Sequence, residues 1–327
     1  MELVTKKRLV LVAGRANHGL AEEVAAALGT ELDPVEIAEF ANGELHCRYG
    51  NSIRGCDVFI FQSHCSSGDL SVNDAIMEQL IMVDAAKRAS AKRISVVAPH
   101  YGYARQDRKA EGRESITAKL TADLFEAAGA KRIISVDLHS GQIQGFFDGP
   151  VDHLTAMPIL IDWMAENLGD DLVVVSPDAG RVKVAERYAN QLGADLAIVH
   201  KRRVRGAKNS VEAKEVVGEV EGRPCVLIDD MIDTAGTIVA AAEQLTDRGA
   251  ASVCCAATHG VFSGPAIDRL KNAKLDKVVI TNTLPLPPEK RIDKIEVLSA
   301  AGIIADAIDA VFEDTSVSSI FGGHNQS

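Results

Sequence analysis

Two successive series of apolar runs, alternating with helical patterns, are the feature that most restricts the fold of this chain. The first series predicts strands over residues 9–14, 45–49, 58–62, 94–98 and 133–137. The second series predicts strands over residues 172–176, 196–199, 226–229, 253–257, 278–281 and 295–298. Such alternation is typical of α/β folds with parallel sheets. We therefore predict two similar doubly wound domains, each with a central parallel sheet.

The length of 327 residues also favours two domains over one. A turn-like segment at 146–150, Phe-Phe-Asp-Gly-Pro, suggests where the first domain ends. We place the N-terminal domain at 1–152 and the C-terminal domain at 153–314. The Ser/Gly-rich tail, 315–327, is expected to be partly disordered.

The charge balance bears on the partners of the chain. A net charge of −11 argues against a general nucleic-acid binder. Positive charge is nevertheless clustered at 105–113 and 201–208, and each cluster is either a solvated loop or a field that attracts an anionic substrate. No apolar run is long enough for a membrane span, and the start has no signal-like apolar region, so we expect a cytoplasmic protein without membrane contact. The six cysteines lack a CxxC pair and are expected to be reduced core thiols.

The segment 226–238 has the residues of a sugar-phosphate site. An apolar strand is predicted to end at Asp229 and Asp230, and a loop of small residues from Asp233 to Thr237 precedes a helix. Loop amides and a helix N-terminus suit a phosphate, whereas carboxylates accept hydrogen bonds from sugar hydroxyls. Because ligands of open α/β sheets bind beyond the carboxyl ends of the strands, we predict the site there.

Two further segments of the second series could bind phosphate. Ser176 ends a strand and is followed by Pro177, Asp178, Ala179, Gly180 and Arg181, the same order of strand, acid, small residues and helix. The amides of this loop could hold a diphosphate. Lys201 and Arg203 follow the strand 196–199, and the polar stretch 204–214 resembles a mobile loop. A cationic loop that closes over a polyphosphate would stabilise developing charge.

Three segments of the first series have residues suited to nucleotide or metal binding. Asp137 and His139 are two apart at a strand end and are expected to face one side, where they could hold Mg²⁺. Arg105 and Gln106 could bind phosphate and a base or ribose edge. The turn 40–44 offers Phe40, Asn42 and Glu44 for stacking on a purine and hydrogen bonding to it. The simpler alternatives are a buried histidine, a flexible basic loop and a hairpin with a half-buried Phe.

The segment 226–238 resembles the phosphoribosyl-pyrophosphate (PRPP) binding motif of the type I phosphoribosyltransferase fold. Taken in order, the segments resemble class I ribose-phosphate diphosphokinases, or PRPP synthases, over nearly the whole chain. Beyond that motif, the resemblance rests on Met-Glu-Gln-Leu-Ile-Met at 77–82, Tyr-Ala-Arg-Gln-Asp-Arg-Lys at 103–109, Asp-Leu-His at 137–139 and Gln-Ile-Gln-Gly-Phe-Phe-Asp at 142–148. A simple phosphoribosyltransferase would share only the PRPP motif.

The resemblance implies an activity and a role for each segment. The enzyme would transfer the diphosphoryl group of ATP to the 1-hydroxyl of ribose 5-phosphate, giving PRPP and AMP for nucleotide, histidine and tryptophan biosynthesis. The catalytic cations would be Lys201 and Arg203. ATP would be bound by Phe40, Asn42, Glu44, Arg105, Gln106 and His139, the first three from a neighbouring subunit. Ribose 5-phosphate would be bound by Asp229, Asp230, Asp233, Thr234, Ala235, Gly236 and Thr237. The diphosphate loop would be Asp178, Ala179, Gly180 and Arg181.

The resemblance also implies a cofactor and regulators. Mg²⁺ would be held by His139, Asp137 and Asp178. A homo-oligomer, expected to be a hexamer, would bind activating phosphate and inhibitory ADP near Ser316, Val317 and Ser318. Many relatives have glycine where this chain has Arg181, which could add a phosphate contact or narrow the loop. The alternatives are a phosphoribosyltransferase that consumes PRPP and a non-catalytic regulatory homologue, and the latter should lack catalytic or metal residues that are present here.

Overall fold

The computed structural model describes residues 7–203 and 212–321, including their side chains except at 201–203, 212–214 and 321. The chain forms two compact units. The first unit comprises residues 1–155, 283–285 and 299–327, and the second comprises residues 156–282 and 286–298. The first boundary lies three residues beyond the predicted one. Residues 299–314, which we assigned to the C-terminal domain, group with the first unit.

The first unit is built on a five-stranded parallel sheet with the strand order β1-β4-β5-β6-β7. The strands of this sheet are β1 (Leu9–Ala13), β4 (Asp57–Phe61), β5 (Arg93–Val97), β6 (Arg132–Val136) and β7 (Val151–Leu154). A separate hairpin consists of β2 (Val35–Glu39) and β3 (Leu45–Tyr49). The helices of the unit are α1 (His18–Ala27), α2 (Val72–Arg88) and α3 (Thr117–Ala128). The central strands are almost wholly buried, as expected for a parallel sheet covered on both faces.

The second unit is built on a seven-stranded sheet with the order β10-β9-β8-β11-β12-β13-β14. Its helices are α4 (Met157–Asn167), α5 (Val182–Leu192), α6 (Gly236–Asp247) and α7 (Ala266–Asn272). Its strands are β8 (Val173–Ser176), β9 (Asp195–Arg203), β10 (Glu212–Val217), β11 (Pro224–Ile232), β12 (Ser252–Gly260), β13 (Lys277–Thr281) and β14 (Ile295–Leu298). Every pairing is parallel except that of β10 with β9. The predicted α/β class with two parallel sheets is confirmed.

Several element boundaries differ from the prediction. β11 continues past the two acids to Ile232, because β12 is equally long and pairs with it as far as Gly260. β7 was not predicted, yet it pairs with β6 and places the end of the first segment after Thr155. Residues 212–214, assigned to a loop, lie in β10 and pair with the end of β9. The rest of that predicted loop, 204–211, lies outside the described residues.

The chain returns to the first unit after β14. Helix α8 (Ala301–Phe312) follows and packs on α1 and β7. A short 3-10 helix, Val317–Phe321, occupies part of the predicted tail, and residues 322–327 of the tail lie outside the described residues. Among the described residues, no helix is both long and apolar enough to cross a membrane. All six cysteines are free thiols and five are buried, which agrees with the expected core role.

Candidate active site

The PRPP-like segment runs from the last third of β11 into α6. Asp229 and Asp230 are strand residues, so their side chains are fixed by the β11–β12 register and not by a loop. Ala235 then adopts a left-handed conformation with φ +60°, which turns the chain into α6 at Gly236. Thr234 and Thr237 are exposed at this helix start, where the helix dipole and the first backbone amides favour an anion.

A cation on α7 supports the loop before α6. The Nη1 of Arg269 donates to the carbonyl oxygen of Thr234 at 2.9 Å. Gly236 lies so close to this guanidinium that a Cβ at its position would be 3.3 Å from Nη1. The amide of Ser263 donates to the carbonyl of Asp233 at 3.0 Å. These contacts fix the backbone of the loop from residues that follow β12 in sequence. Nothing in the sequence distinguished Arg269 from other helical arginines, so it was not predicted.

The loop that follows β8 is closed on itself. The amide of Gly180 donates to Oδ1 of Asp178 at 2.8 Å, and the Ser176 hydroxyl donates to the Asp178 carbonyl at 2.6 Å. The amide of Arg181 also points to that carbonyl, at 3.4 Å. We predicted that loop amides would hold a diphosphate. In this structure the Gly180 and Arg181 amides have acceptors within the loop itself, so they would have to exchange them for an incoming phosphate.

Arg181 connects the β8 loop to the acidic pair. Its Nε lies 3.3 Å from Oδ1 of Asp229, and its Nη2 lies 2.5 Å from Oδ1 of Asp230. Burial raises the pKa of Asp229, the neighbouring Asp230 raises it further, and the Arg181 guanidinium opposes both effects. The sequence indicated that Arg181 is a departure from relatives, but it did not predict this pairing.

The predicted catalytic residues Lys201 and Arg203 lie in the final residues of β9. The strand is longer than predicted because β10 extends it as an antiparallel partner, pairing Lys201 with Lys214 and Arg203 with Glu212. At these positions the structure describes only the backbone. Their proposed role therefore stays a prediction.

In the first unit, the segment that contains Arg105 and Gln106 is held by a buried histidine. The amide of Gly102 donates to Nδ1 of His64 at 2.9 Å, and Nε2 of His64 lies 2.7 Å from Oε1 of Gln79. His64 therefore accepts at Nδ1 and donates from Nε2. Gln79 in turn donates to the carbonyls of Ile60 and Val97. Burial lowers the pKa of His64 to about 4, which keeps the ring neutral.

Arg105 and Gln106 are both exposed at the surface of the first unit. The hydroxyl of Thr117, at the start of α3, donates to Oε1 of Gln106 at 2.7 Å. Asp107 accepts a hydrogen bond from Gln142, which joins this segment to the short 3-10 helix Gly141–Gly145. The sequence suggested either a flexible basic loop or a binding segment. These contacts show a segment with fixed supports and an exposed cation.

The Asp137–His139 segment is bent where a strand was expected. β6 ends at Val136, and Asp137 has a φ of +39°, an unfavourable value for a residue with a side chain. The alternation that predicted a shared face for Asp137 and His139 therefore does not apply to them. The amide of Asp137 donates to the Leu154 carbonyl at 2.9 Å, and the amide of Leu138 donates to Nε2 of His153 at 2.8 Å. His153 is buried on β7, and no sequence pattern pointed to it.

The other predicted residues of the first unit lie on its surface. β2 and β3 form the expected hairpin, and Phe40 at its turn is 56% exposed, so it is not the half-buried core residue of the alternative interpretation. Oδ1 of Asn42 accepts a hydrogen bond from the Glu44 amide at 3.2 Å, which fixes the turn of the hairpin. Ser316 and Ser318 are exposed, and the Ser319 hydroxyl bonds the Ser316 carbonyl at 2.6 Å.

The predicted Mg²⁺ site has few side-chain donors close together among the described residues. In the described parts of the chain, no three His, Cys, Asp or Glu side chains are grouped closely enough to hold a metal ion. Asp137 and His139 belong to the first unit, whereas Asp178 belongs to the second. Asp152, a further carboxylate near the metal residues in sequence, instead pairs with Arg132 at 2.5 Å, at the start of β6. Such a set suits Mg²⁺ only if substrate phosphates and water complete its coordination.

Known proteins resemble this chain along nearly its full length. Family models match residues 9–129, described as the N-terminal domain of ribose phosphate pyrophosphokinase, and residues 206–322, described as a phosphoribosyl synthetase-associated domain. Ribose-phosphate pyrophosphokinase of Streptomyces avermitilis is 57% identical over 317 residues, and that of Mycobacterium leprae 52% over 320, each match covering 97% of both chains.

A solved structure agrees with these relatives. The crystal structure of phosphoribosylpyrophosphate synthetase from Mycobacterium smegmatis is 51% identical, with a TM-score of 0.88, and the match covers 94% of this chain and all of that one. The resemblance drawn from the motifs is confirmed, as is the expectation of an enzyme. The chain belongs to the ribose-phosphate pyrophosphokinase family.

Proposed function

We propose that this enzyme transfers the diphosphoryl group of ATP to the 1-hydroxyl of ribose 5-phosphate, giving PRPP and AMP. The observation that most supports this proposal is the succession of Asp229, Asp230 and the Asp233–Thr237 loop on β11 and α6, within a chain of which a relative matches 97%. The two carboxylates accept hydrogen bonds from the ribose hydroxyls, and the backbone amides at the helix start bind the 5-phosphate.

The reaction needs no covalent enzyme intermediate. The 1-hydroxyl oxygen of the sugar forms a bond to the β-phosphorus of ATP, and the bond from that phosphorus to the bridging α–β oxygen breaks. AMP leaves with that oxygen, and the hydroxyl proton is lost to solvent. The chain contributes positioning and positive charge, which are the main sources of rate enhancement in phosphoryl transfer. We assign Lys201 and Arg203 as the cations that face the developing charge.

The remaining assignments follow the same scheme. Arg105, Gln106 and His139 bind ATP, and Phe40, Asn42 and Glu44 reach its adenine from a neighbouring subunit of a homo-oligomer, proposed to be a hexamer. Asp137, His139 and Asp178, together with phosphate and water, would hold Mg²⁺, which would neutralise charge on the polyphosphate. Phosphate as activator and ADP as inhibitor bind near Ser316–Ser318. The exposure of Phe40 and Arg105 supports the two ATP assignments.

The test is release of AMP from ATP and ribose 5-phosphate by the purified protein with Mg²⁺, with and without inorganic phosphate. We expect one AMP for each PRPP formed, and higher activity with phosphate. A phosphoribosyltransferase would release no AMP from these two substrates but would consume PRPP when a nucleobase is added. A non-catalytic homologue would do neither. Either of those results contradicts the proposed function.

A further inference from the structure

Arg181 is the residue that joins the two phosphate-type loops of the second unit. It immediately precedes α5, and its guanidinium reaches both acids of β11. The side chains are largely withdrawn from solvent, with exposed fractions of 17% for Arg181, 16% for Asp229 and 8% for Asp230. An ion pair this buried is expected to matter energetically, because removal of one partner leaves charge without compensation.

The geometry leaves the acids able to receive a ligand. Nε of Arg181 contacts Oδ1 of Asp229 and Nη2 contacts Oδ1 of Asp230, and Oδ1 of Asp229 also accepts a hydrogen bond from the Asp230 amide at 2.9 Å. A carboxylate has about four acceptor positions, so the pair can stay bound to Arg181 and still accept sugar hydroxyls. The fork of the guanidinium fixes the orientation of both groups at once, which a single-point ammonium cannot do.

The electrostatics give Arg181 a second effect. Two adjacent carboxylates in a poorly solvated site tend to share a proton, since the second negative charge is opposed by the first. Among the side chains that the structure describes, those that act on Asp229 include Asp230 on the same strand, Arg181 before α5 and the Cys255 thiol on β12. Arg181 is the one cation among these three neighbours, and it favours the doubly ionised pair.

We propose that Arg181 is a positioning residue for the pentose: its guanidinium fork orients Asp229 and Asp230 as acceptors of hydrogen bonds from the ribose hydroxyls, and it ties the Asp178–Arg181 loop to that site. Its positive charge also favours the ionised form of the pair over the protonated form. This inference rests on the proposed function, because it assumes that the acids bind the sugar. It assigns Arg181 a role different from the phosphate contact expected from sequence. The alternative is that the sugar must displace the guanidinium, in which case Arg181 competes with the substrate.

The test is calorimetric binding of ribose 5-phosphate alone, without ATP, from pH 6 to pH 9. We expect Arg181→Gly to weaken binding roughly tenfold at pH 7, the scale of a lost charged hydrogen-bond pair. The loss should narrow as pH rises, because the shared proton leaves the acids. The affinity of Arg181→Lys for ribose 5-phosphate should lie between those of the wild type and Arg181→Gly, because lysine restores the positive charge without the guanidinium fork. Lys183→Ala removes an exposed cation from the same helix and should bind as the wild type does.

The outcomes separate the inference from the function on which it rests. Equal or tighter binding by Arg181→Gly across the pH range overturns the positioning role and identifies a competitor. A weakening that is the same at every pH also overturns it, because a merely structural defect has no reason to follow ionisation. If the wild type releases AMP, the proposed function stands in either case. If the wild type releases AMP but binds no ribose 5-phosphate by itself, only the inference falls, because the acids are then not a preformed site for the sugar. If the wild type releases no AMP, the proposed function falls and the inference falls with it. Thermal unfolding of each variant checks that it is folded.

Discussion

At the scale of single residues, we expect charge at the end of β9 to have the largest effect on rate. Lys201 is proposed to face the transferring phosphoryl group, and its contribution should appear only as charge develops. We expect Lys201→Ala to lower turnover by at least about a hundredfold, since removal of a preorganised transition-state donor or cation has effects of that size. The affinity for ribose 5-phosphate should change little. Steady-state AMP release and separate binding measurements provide both quantities.

The matched control for this prediction is Lys271→Ala. Lys271 is an exposed lysine of α7 that has no assigned role in the reaction, so its removal tests the loss of one positive charge as such. We expect its turnover to equal that of the wild type. Normal turnover in Lys201→Ala, combined with weakened sugar binding, would show that Lys201 is a ground-state contact and not a catalytic cation.

His64 should make the first unit sensitive to acid. Its pKa is lowered to about 4 by burial, compared with an ordinary value of 6.5, so the folded protein binds fewer protons than the unfolded chain between these values. The stability linked to His64 is therefore complete above pH 6.5 and is lost as pH falls toward 4. The loss amounts to up to about 3 kcal/mol. Urea unfolding at several pH values between 7 and 4 measures it.

Carboxylates also titrate in this range, so the prediction concerns a difference between variants. His64→Gln cannot titrate, and its free energy of unfolding should decline less steeply below pH 6.5 than that of the wild type. His46→Gln replaces an exposed histidine of β3 and should retain the slope of the wild type. Parallel pH slopes for His64→Gln and the wild type would mean that the ring is not held neutral.

At the scale of elements, β7 positions the segment that contains Asp137 and His139. The Leu154 carbonyl and the His153 ring of this strand accept hydrogen bonds from the Asp137 and Leu138 amides, and they hold the backbone where Asp137 has an unfavourable φ. His153→Leu removes the acceptor for the Leu138 amide. We expect kcat/KM for ATP to fall by roughly tenfold to a hundredfold, since small displacements of positioning groups have such effects. Binding of ribose 5-phosphate should be unchanged.

Two further variants make this prediction specific. His153→Gln retains an acceptor close to the position of Nε2 and should recover most of the activity. Leu154→Val removes a buried methylene from the same strand without touching the Leu138 amide, so it controls for packing. If the Leu and Gln variants of His153 lose activity equally, the hydrogen bond to Leu138 is not what positions the segment.

Elements with strong local patterns could be predicted from sequence, and those that depend on a partner could not. The buried strands β4, β5 and β11 are recognisable because parallel strands covered on both faces are continuously apolar. β7 contains Asp152 and His153, and half of the residues of β10 are charged, so only their pairing with β6 and β9 makes them strands. The same limit applies to the site. The residues of the Asp229–Thr237 segment are contiguous in sequence. By contrast, Arg269 supports the loop of that segment, and His153 supports the Asp137–His139 segment, each from an element that is distant in sequence.

At the scale of the whole molecule, the chain completes its first unit with its last helix. Residues of α8 that are buried include two isoleucines with no exposed surface, Ile304 and Ile308. Asp314, just after the helix, pairs with Lys7 and with Arg93, and these ion pairs lower its pKa to about 2. A boundary drawn from sequence at residue 152 does not reveal this return, because helix periodicity does not indicate which sheet a helix covers.

We expect removal of residues 299–327 to destabilise the first unit in particular. The truncation removes α8, and with it two isoleucines and a valine that are buried against the rest of the unit. We expect the free energy of unfolding of the first unit to fall by about 5 kcal/mol or more, close to the whole stability of an ordinary domain. Trp163 is the one tryptophan of the chain and is buried in the second unit, where its Nε1 donates to Glu296 at 2.8 Å. Its fluorescence therefore reports the second unit alone, whereas circular dichroism reports both.

In the truncated chain, the circular dichroism signal should begin to fall at a lower temperature than the Trp163 signal changes, because only the first unit has lost a helix. Truncation after Phe321 removes only the end of the tail and leaves α8 in place, so its melting should match that of the full chain. Coincident transitions at the wild-type midpoint in the chain ending at Leu298 would show that α8 is dispensable for the first unit. The C-terminal helix would then not be part of that unit's stable core.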